Sequence, residues 1–231
     1  MTLREHAYRI VPGLSASQVA EVNTWFATRP VYADAHVPQT ARNRGQGHQP
    51  RDTLPLTEER FCARTEDAIL APHLFELGLS YTDHAAEYLN RDPPVAYSMN
   101  AFWTRPGATS PYDDIQQFHC DKDDVHFLVL FVFLTDVLEP SDGPHQIQGA
   151  DDVIRSVYGP AGTAFLADTS HPHRGLKPAH RERGIAWYRW GISPRPAANV
   201  WDKVEPVDAA LLGSRYPDDP RLRESVRLLA R

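Results

Sequence analysis

The sequence predicts a mainly β protein with helical cover, a β-sandwich or jelly roll. Helical periodicity occupies the first part of the chain and extended patterning follows it, without regular β-α alternation. Phe127–Leu134 is an unbroken apolar run within the nearly all-apolar stretch Val125–Val137, as in a strand buried on both faces. The 20 Pro residues of the 231-residue chain call for many loops. This length suits one domain, since single β-sandwiches and barrels often reach it. The expected organisation of 1–231 is a helical N-terminal part over about 1–94, a core over about 95–195, and a tail over about 196–231.

Taken in order, Tyr8–Val11 reads as a short strand ending at Pro12-Gly13. Ser15 with Gln18 makes a capping box, and Leu14, Val19, Val22 and Phe26 recur at helical spacing, so a helix is expected over about Ser15–Ala27. Thr28–Leu56 shows no periodicity and carries Pro30, Pro38, Pro50 and Pro55. It reads as a loop whose Arg42, Arg44, His48 and Arg51 could meet an anionic group or simply be solvated. Thr57–Arg60 is expected to open a second helical region that includes Phe61 and ends before Pro93-Pro94.

From Val95 the pattern becomes extended. Strands are expected over Val95–Trp103, Gln116–Asp121, Val125–Val137, His145–Gln148, Gly162–Asp168 and Gly184–Ile192. A turn is expected at Ala108–Ile115, another at Glu139–Pro144, and a polar loop lies between Asp168 and Gly184. A final helix is expected over Pro220–Arg231. Lys and Arg number 24 against 30 Asp and Glu, a net charge of −6 with no basic stripe, which argues against nucleic acid or an anionic membrane as partner. The longest apolar run is too short to span a bilayer, the N-terminus does not read as a signal peptide, and two Cys give no disulfide framework. The expected compartment is the cytoplasm and the expected partner a small molecule.

Chemistry concentrates in Gln117-Phe118-His119-Cys120-Asp121. On extended backbone, residues i and i+2 point the same way, so His119 and Asp121 can reach one metal ion. A second His about 50 residues on, within Ser170-His171-Pro172-His173-Arg174-Gly175, would complete a 2-His-1-carboxylate set, which suits non-haem Fe(II) oxygenases. Both His171 and His173 are available there. His126 opens the buried strand and reads as a core or pocket-edge residue, and His145 and His180 read as loop residues.

Several of these segments together resemble the phytanoyl-CoA dioxygenase family of Fe(II)- and 2-oxoglutarate-dependent oxygenases. They are Gln117–Asp124, Phe127–Val137, Gly143-Pro144-His145, and Gly162–Asp168 leading to His173-Arg174-Gly175 with a following Arg, within roughly Val95–Ile192. The resemblance implies a double-stranded β-helix, the cupin-like jelly roll. It implies Fe(II) held by His119, Asp121 and His173, with His173 preferred over His171 because it stands immediately before Arg-Gly. It further implies that a basic residue about ten positions beyond the distal His, here Arg183, grips the far carboxylate of 2-oxoglutarate, with O2 as the other co-substrate.

Arg174, Arg181 and Arg189 are the rivals of Arg183, and a guanidinium suits the task through its planar fork. Asp121 favours a hydroxylase over the related halogenases, in which a small residue replaces the carboxylate. The chain departs from the family at Gly149-Ala150-Asp151, where Gly-Ser-His is common, and at Gly175, where a Ser often contacts the co-substrate. The expected function is hydroxylation of an unactivated C–H bond of a small metabolite. The alternatives are a cupin-like metal lyase or isomerase that uses no 2-oxoglutarate, and a non-catalytic jelly-roll binding protein. Tyr97, Asn100, Phe102 and Trp103 could line the pocket or sit in the core.

Overall fold

The computed structural model describes residues 2–33, 49–54, 60–106, 116–194 and 206–231. The strands in chain order are β1 (Tyr8–Val11), β2 (Val31–Ala33), β3 (Arg60–Ala63), β4 (Val95–Thr104), β5 (Phe127–Phe133), β6 (His145–Gln148), β7 (Ile154–Val157), β8 (Ala164–Ala167), β9 (His173–Gly175) and β10 (Arg183–Gly191). Seven form one sheet in the order β1-β8-β5-β10-β4-β3-β2, and three form a second in the order β7-β6-β9. Every strand pair is antiparallel. This is the jelly roll expected from the sequence, with helices covering the large sheet.

The period-2 geometry of a strand sorts the side chains into two cores. Leu128, Leu130 and Val132 of β5, and Leu134 just past it, face the helices, with Ala186, Tyr188 and Trp190 of β10 and Met99, Ala101 and Trp103 of β4. Phe127, Val129, Phe131 and Phe133 point the other way, toward the small sheet, and meet Ile147, Val157, Phe165 and Ile185. Each large side chain buried in this way contributes about 1.5–3 kcal/mol. The apolar run is continuous because both of its faces are covered. Val125, expected in the strand, is exposed and precedes it.

The helical cover forms as local chemistry dictates. Ser15 Oγ accepts the amide of Gln18 at 3.3 Å, while Gln18 Oε1 accepts the amide of Ser15 at 2.9 Å. The helix they cap, Ala16–Ala27, buries Val19, Val22 and Phe26. Three short helices, Thr65–Leu70, Leu74–Ser80 and Thr82–Leu89, continue the layer. Gly78 lets it approach closely, since a Cβ there would lie 2.2 Å from the Tyr188 ring.

Several expectations are corrected. Arg60–Ala63 is a strand rather than the opening of a helix, because β4 offers it an edge and Phe61 stacks on Trp103 at 5.5 Å. Val31–Ala33 pairs with it inside the supposed loop. Ile154–Val157 and His173–Gly175 are strands within stretches read as irregular. Gln116–Asp121 is no full strand but makes a single bridge at His119. The last helix is Pro220–Val226. Arg42, Arg44 and His48, and the expected turn at Ala108–Ile115, lie outside the described residues. Arg51 pairs with Glu182 and lies over the Phe61 ring.

Candidate metal centre

His119 and Asp121 come from the segment leading to β5, and His173 opens β9. Main-chain bonds join the two stretches: His119 N to His173 O at 3.0 Å, His173 N to His119 O at 2.9 Å, and Asp121 N to Thr169 O at 2.8 Å. The side chains converge as a result. The His119 and His173 ring centroids are 4.3 Å apart. Asp121 Oδ1 is 3.7 Å from His119 Nε2, and Asp121 Oδ2 is 3.7 Å from His173 Nε2. One donor atom from each of the three lies within 4.8 Å of the others. Donors about 2.1 Å from one ion and at right angles stand about 3 Å apart, so a slight closing of the set would accommodate a divalent cation.

The same device orients both imidazoles. Nδ1 of His119 meets the carbonyl of Gln117 at 3.0 Å, and Nδ1 of His173 meets the carbonyl of His171 at 3.0 Å. A carbonyl only accepts, so each Nδ1 carries the proton and each Nε2 presents its lone pair. His171 contributes this carbonyl, while its ring lies partly exposed outside the cluster. Burial pushes the His173 pKa down to about 4 against the opposing pull of Asp121, which keeps the ring neutral at neutral pH. Burial works to raise the Asp121 pKa, but its neighbours, Arg189 foremost, outweigh it and hold the carboxyl below its ordinary value. A carboxylate with two imidazoles is a donor set suited to a borderline divalent metal.

Of the competing arginines, Arg189 donates to Asp121 Oδ2 from Nη2 at 3.2 Å and from Nη1 to Asp123. Asp123, the next residue on that face, is itself held above its ordinary pKa by burial, which Arg189 opposes. A register shift in β4 opposite Arg189 and Trp190 inserts Tyr97, which packs with the inter-sheet core and places its hydroxyl 3.5 Å from Asp123. Arg181 is an exposed partner of Asp142. Arg174 bonds Gln146 and lies over Phe118.

Arg183 differs from all three. It is only 2 % exposed at the start of β10. Nη1 donates to the carbonyls of Gly143 at 2.6 Å and Leu176 at 3.2 Å, and Nη2 stands 3.5 Å from Thr104 Oγ1. Nε has no partner, and no carboxylate pairs with the guanidinium among the described residues. Burial lowers its pKa to about 10, with Arg60 adding to the effect. A Cβ on Gly175 would lie 2.8 Å from Arg183 Nη2, so glycine is what gives the guanidinium its place. Two residues span about 7 Å of strand, which is the step along β9 from His173 to Gly175.

His145 opens the strand expected over His145–Gln148, here β6, and is buried there rather than lying in a loop. Its ring stacks at 5.5 Å on that of His173 and lies tilted at 4.8 Å from that of Phe131. Burial first, then His173, Arg183 and His119, hold its pKa well below the ordinary value. The signal that could have found it is the alternation of His145 with Ile147, which puts both on one face of the strand. Phe102 and Trp187 meet edge-on at 5.2 Å on the face that carries Arg183 and stay partly exposed, whereas Trp103 belongs to the helix-side core. His126 lies against Tyr88 at 5.3 Å, away from the cluster.

The fold is a double-stranded β-helix, a jelly roll of two antiparallel sheets. Among solved structures, HygX from Streptomyces hygroscopicus with nickel and 2-oxoglutarate bound is similar over 89 % of this chain and 87 % of its own, at 10 % identity and a TM-score of 0.58. SnoN, a non-haem α-ketoglutarate-dependent epimerase of nogalamycin biosynthesis, covers 87 % of this chain and 86 % of its own, at 12 % identity and a TM-score of 0.56. SnoK, a carbocyclase of the same pathway, covers 81 % and 80 %, at 15 % identity and a TM-score of 0.54. At these identities the likeness is one of fold. No protein-family profile matches the chain, and no curated protein matches it in sequence. Among the described residues no helix is long and apolar enough to cross a membrane.

Proposed function

We propose that the protein is a non-haem oxygenase dependent on Fe(II), 2-oxoglutarate and O2 that hydroxylates an unactivated C–H bond of a small molecule. The observation that carries this reading is Arg183. A buried cation with no carboxylate partner is costly unless an anion completes it, and this one lies beside the strand that carries His173. A metal lyase or isomerase that uses no 2-oxoglutarate has no need of such a group. Fold neighbours bind nickel or iron, 2-oxoglutarate and, in HygX, hygromycin B, which supports the same cofactors and a small-molecule substrate here. The order of the motifs supports the finer assignment to the phytanoyl-CoA dioxygenase family. We further take residues 1–231 as one domain and the cytoplasm as its compartment; Cys62 and Cys120 form no disulfide, which fits a reducing environment.

In this reading His119, Asp121 and His173 would hold the ion, and the carbonyls of Gln117 and His171 fix the two rings. Arg189 offsets part of the Asp121 charge and holds the carboxylate in place. Arg183 binds the distal carboxylate of 2-oxoglutarate. Phe131 and Phe165 keep that end dry, and Phe102 with Trp187 offers an apolar wall to the substrate. When bound, the metal and co-substrate supply the oxidising power, with O2 and 2-oxoglutarate giving succinate, CO2 and one oxygen atom for the substrate.

The test is to load the purified protein anaerobically with Fe(II), add 2-oxoglutarate, admit O2 and quantify succinate while screening small molecules. The expected outcome is stoichiometric metal uptake and 2-oxoglutarate-dependent succinate release that rises with a substrate. Hydroxylation is distinguished from the cyclisation and epimerisation of the neighbours by the product's mass and by 18O incorporation. Metal uptake without succinate would instead favour a lyase or isomerase, and no uptake a binding protein.

A further inference from the structure

We infer that His145 is a second binding residue for the co-substrate, donating a hydrogen bond from its ring to the distal carboxylate that Arg183 holds. This inference rests on the 2-oxoglutarate reading of the site. Three features of the structure lead to it.

The first is the unmet polar atom. His145 is 7 % exposed, and its Nε2 has no hydrogen-bond partner among the described residues. Buried polar atoms in folded proteins are nearly always satisfied, so an orphaned one calls for a ligand or a water. The second is position. β6 and β9 pair in the register His145↔Gly175 and Ile147↔His173. The four residues therefore share the inner face of the small sheet. The His145 ring stands 5.5 Å from that of His173 on one side, and on the other it faces Gly175, beside which the Arg183 guanidinium lies. Phe131 and Phe165 close the back, at 4.8 and 5.6 Å. The imidazole thus lies beside His173 of the metal triad and opposite Gly175, the residue against which Arg183 packs.

The third is what Gly175 lacks. β9 presents no hydroxyl at this position, because a side chain there would collide with Arg183. The strand opposite supplies a donor in its place. Two other roles are disfavoured. His145 is not part of the cluster whose donor atoms lie within 4.8 Å of one another, so it is not a fourth ligand. A purely packing role would be met by any flat ring and would not leave Nε2 unbonded.

The test uses full-length protein loaded anaerobically with Mn(II), titrated by calorimetry with 2-oxoglutarate and, separately, with 2-oxobutyrate, which lacks the distal carboxylate. H145F keeps the ring packing and removes the N–H, whereas H145Q keeps a donor. For H145F the Kd of 2-oxoglutarate is expected to rise about 10-fold, the loss of one hydrogen bond to a charged group. The Kd of 2-oxobutyrate and the metal stoichiometry should stay unchanged, and H145Q should come within about 3-fold of wild type. An unchanged Kd for 2-oxoglutarate in H145F overturns the inference and leaves the proposed function standing, as does an equal loss for both ligands. Failure of the wild type to bind 2-oxoglutarate overturns both. Should H145F not fold, 15N-histidine spectra of the Zn(II)-loaded wild type decide. A His145 N–H resonance that becomes protected on adding 2-oxoglutarate but not 2-oxobutyrate supports the contact, and no such change refutes it.

Discussion

The two ends of the proposed site are built differently. At the metal end the His119 side chain is 30 % exposed and that of Asp121 16 %, on a segment tied to β9 through one bridge. At the other end Arg183 and His145 are buried, on regular strands, against Phe131, Phe165 and Gly175. An open end admits molecules of varied shape. A sealed end accepts one small anion and fixes its orientation. On the proposed reading the division matches the two partners of the reaction, a variable substrate at the mouth and a constant dicarboxylate at the back.

The most drastic way to break this contrast is at the metal end. D121A and H173A should each reduce Mn(II) or Fe(II) uptake from about one ion per chain to near zero while the far-ultraviolet spectrum stays native, measured by metal analysis after gel filtration. At the sealed end, R183M should raise the Kd for 2-oxoglutarate about 100-fold with metal uptake intact, by loss of a bidentate charged contact. Because a lone buried charge is replaced by an apolar side chain, the ligand-free variant should unfold no earlier than wild type in a thermal melt. A fall of several degrees would show that Arg183 is chiefly a structural residue.

Installing a side chain at Gly175 sharpens the contrast further. G175S should displace the guanidinium and weaken 2-oxoglutarate about 10-fold by calorimetry, without affecting the metal. The smallest effect is expected in the turn before β6. Asp142 accepts from Arg181 at two 2.8 Å bonds and from the amides of Leu138 and Glu139, and these bonds, that of Arg181 foremost, hold its carboxyl at about 2. The folded-state pKa is depressed, so the contribution is complete above the ordinary value of about 4 and is lost as pH falls toward about 2. D142N should therefore cost about 1–3 kcal/mol at pH 7, and its gap from wild type should narrow below pH 4 in denaturant melts.

How much of this could be read from the chain follows from how local each cause is. The helix after Ser15 is written in four adjacent positions, and it forms as expected. β5 is legible because both its faces are covered, which shows as an unbroken apolar run. β3 is not, since four residues carry no period and only the edge offered by β4 makes Arg60–Ala63 extended. The spacing of His119 and Asp121 is local, and the coordinates bring both beside His173. The strand that carries His145 is legible, but the burial of His145 is not, for the opposite reason. It follows Gly143-Pro144, which reads as a turn, and its burial comes from pairing with β9, itself a three-residue strand with no pattern of its own. The role of Gly175 is similarly non-local, as it is defined by a guanidinium eight residues away.

The reciprocal amide bonds between His119 and His173 carry a consequence for assembly. Main-chain bonds bring the two imidazoles together, so on the proposed reading much of the ordering entropy of the pocket is met during folding. A zinc finger, by contrast, folds around its ion. Such a preformed seat can lose and regain its ion reversibly, and stripping with a chelator should leave a folded apoprotein ready for reconstitution.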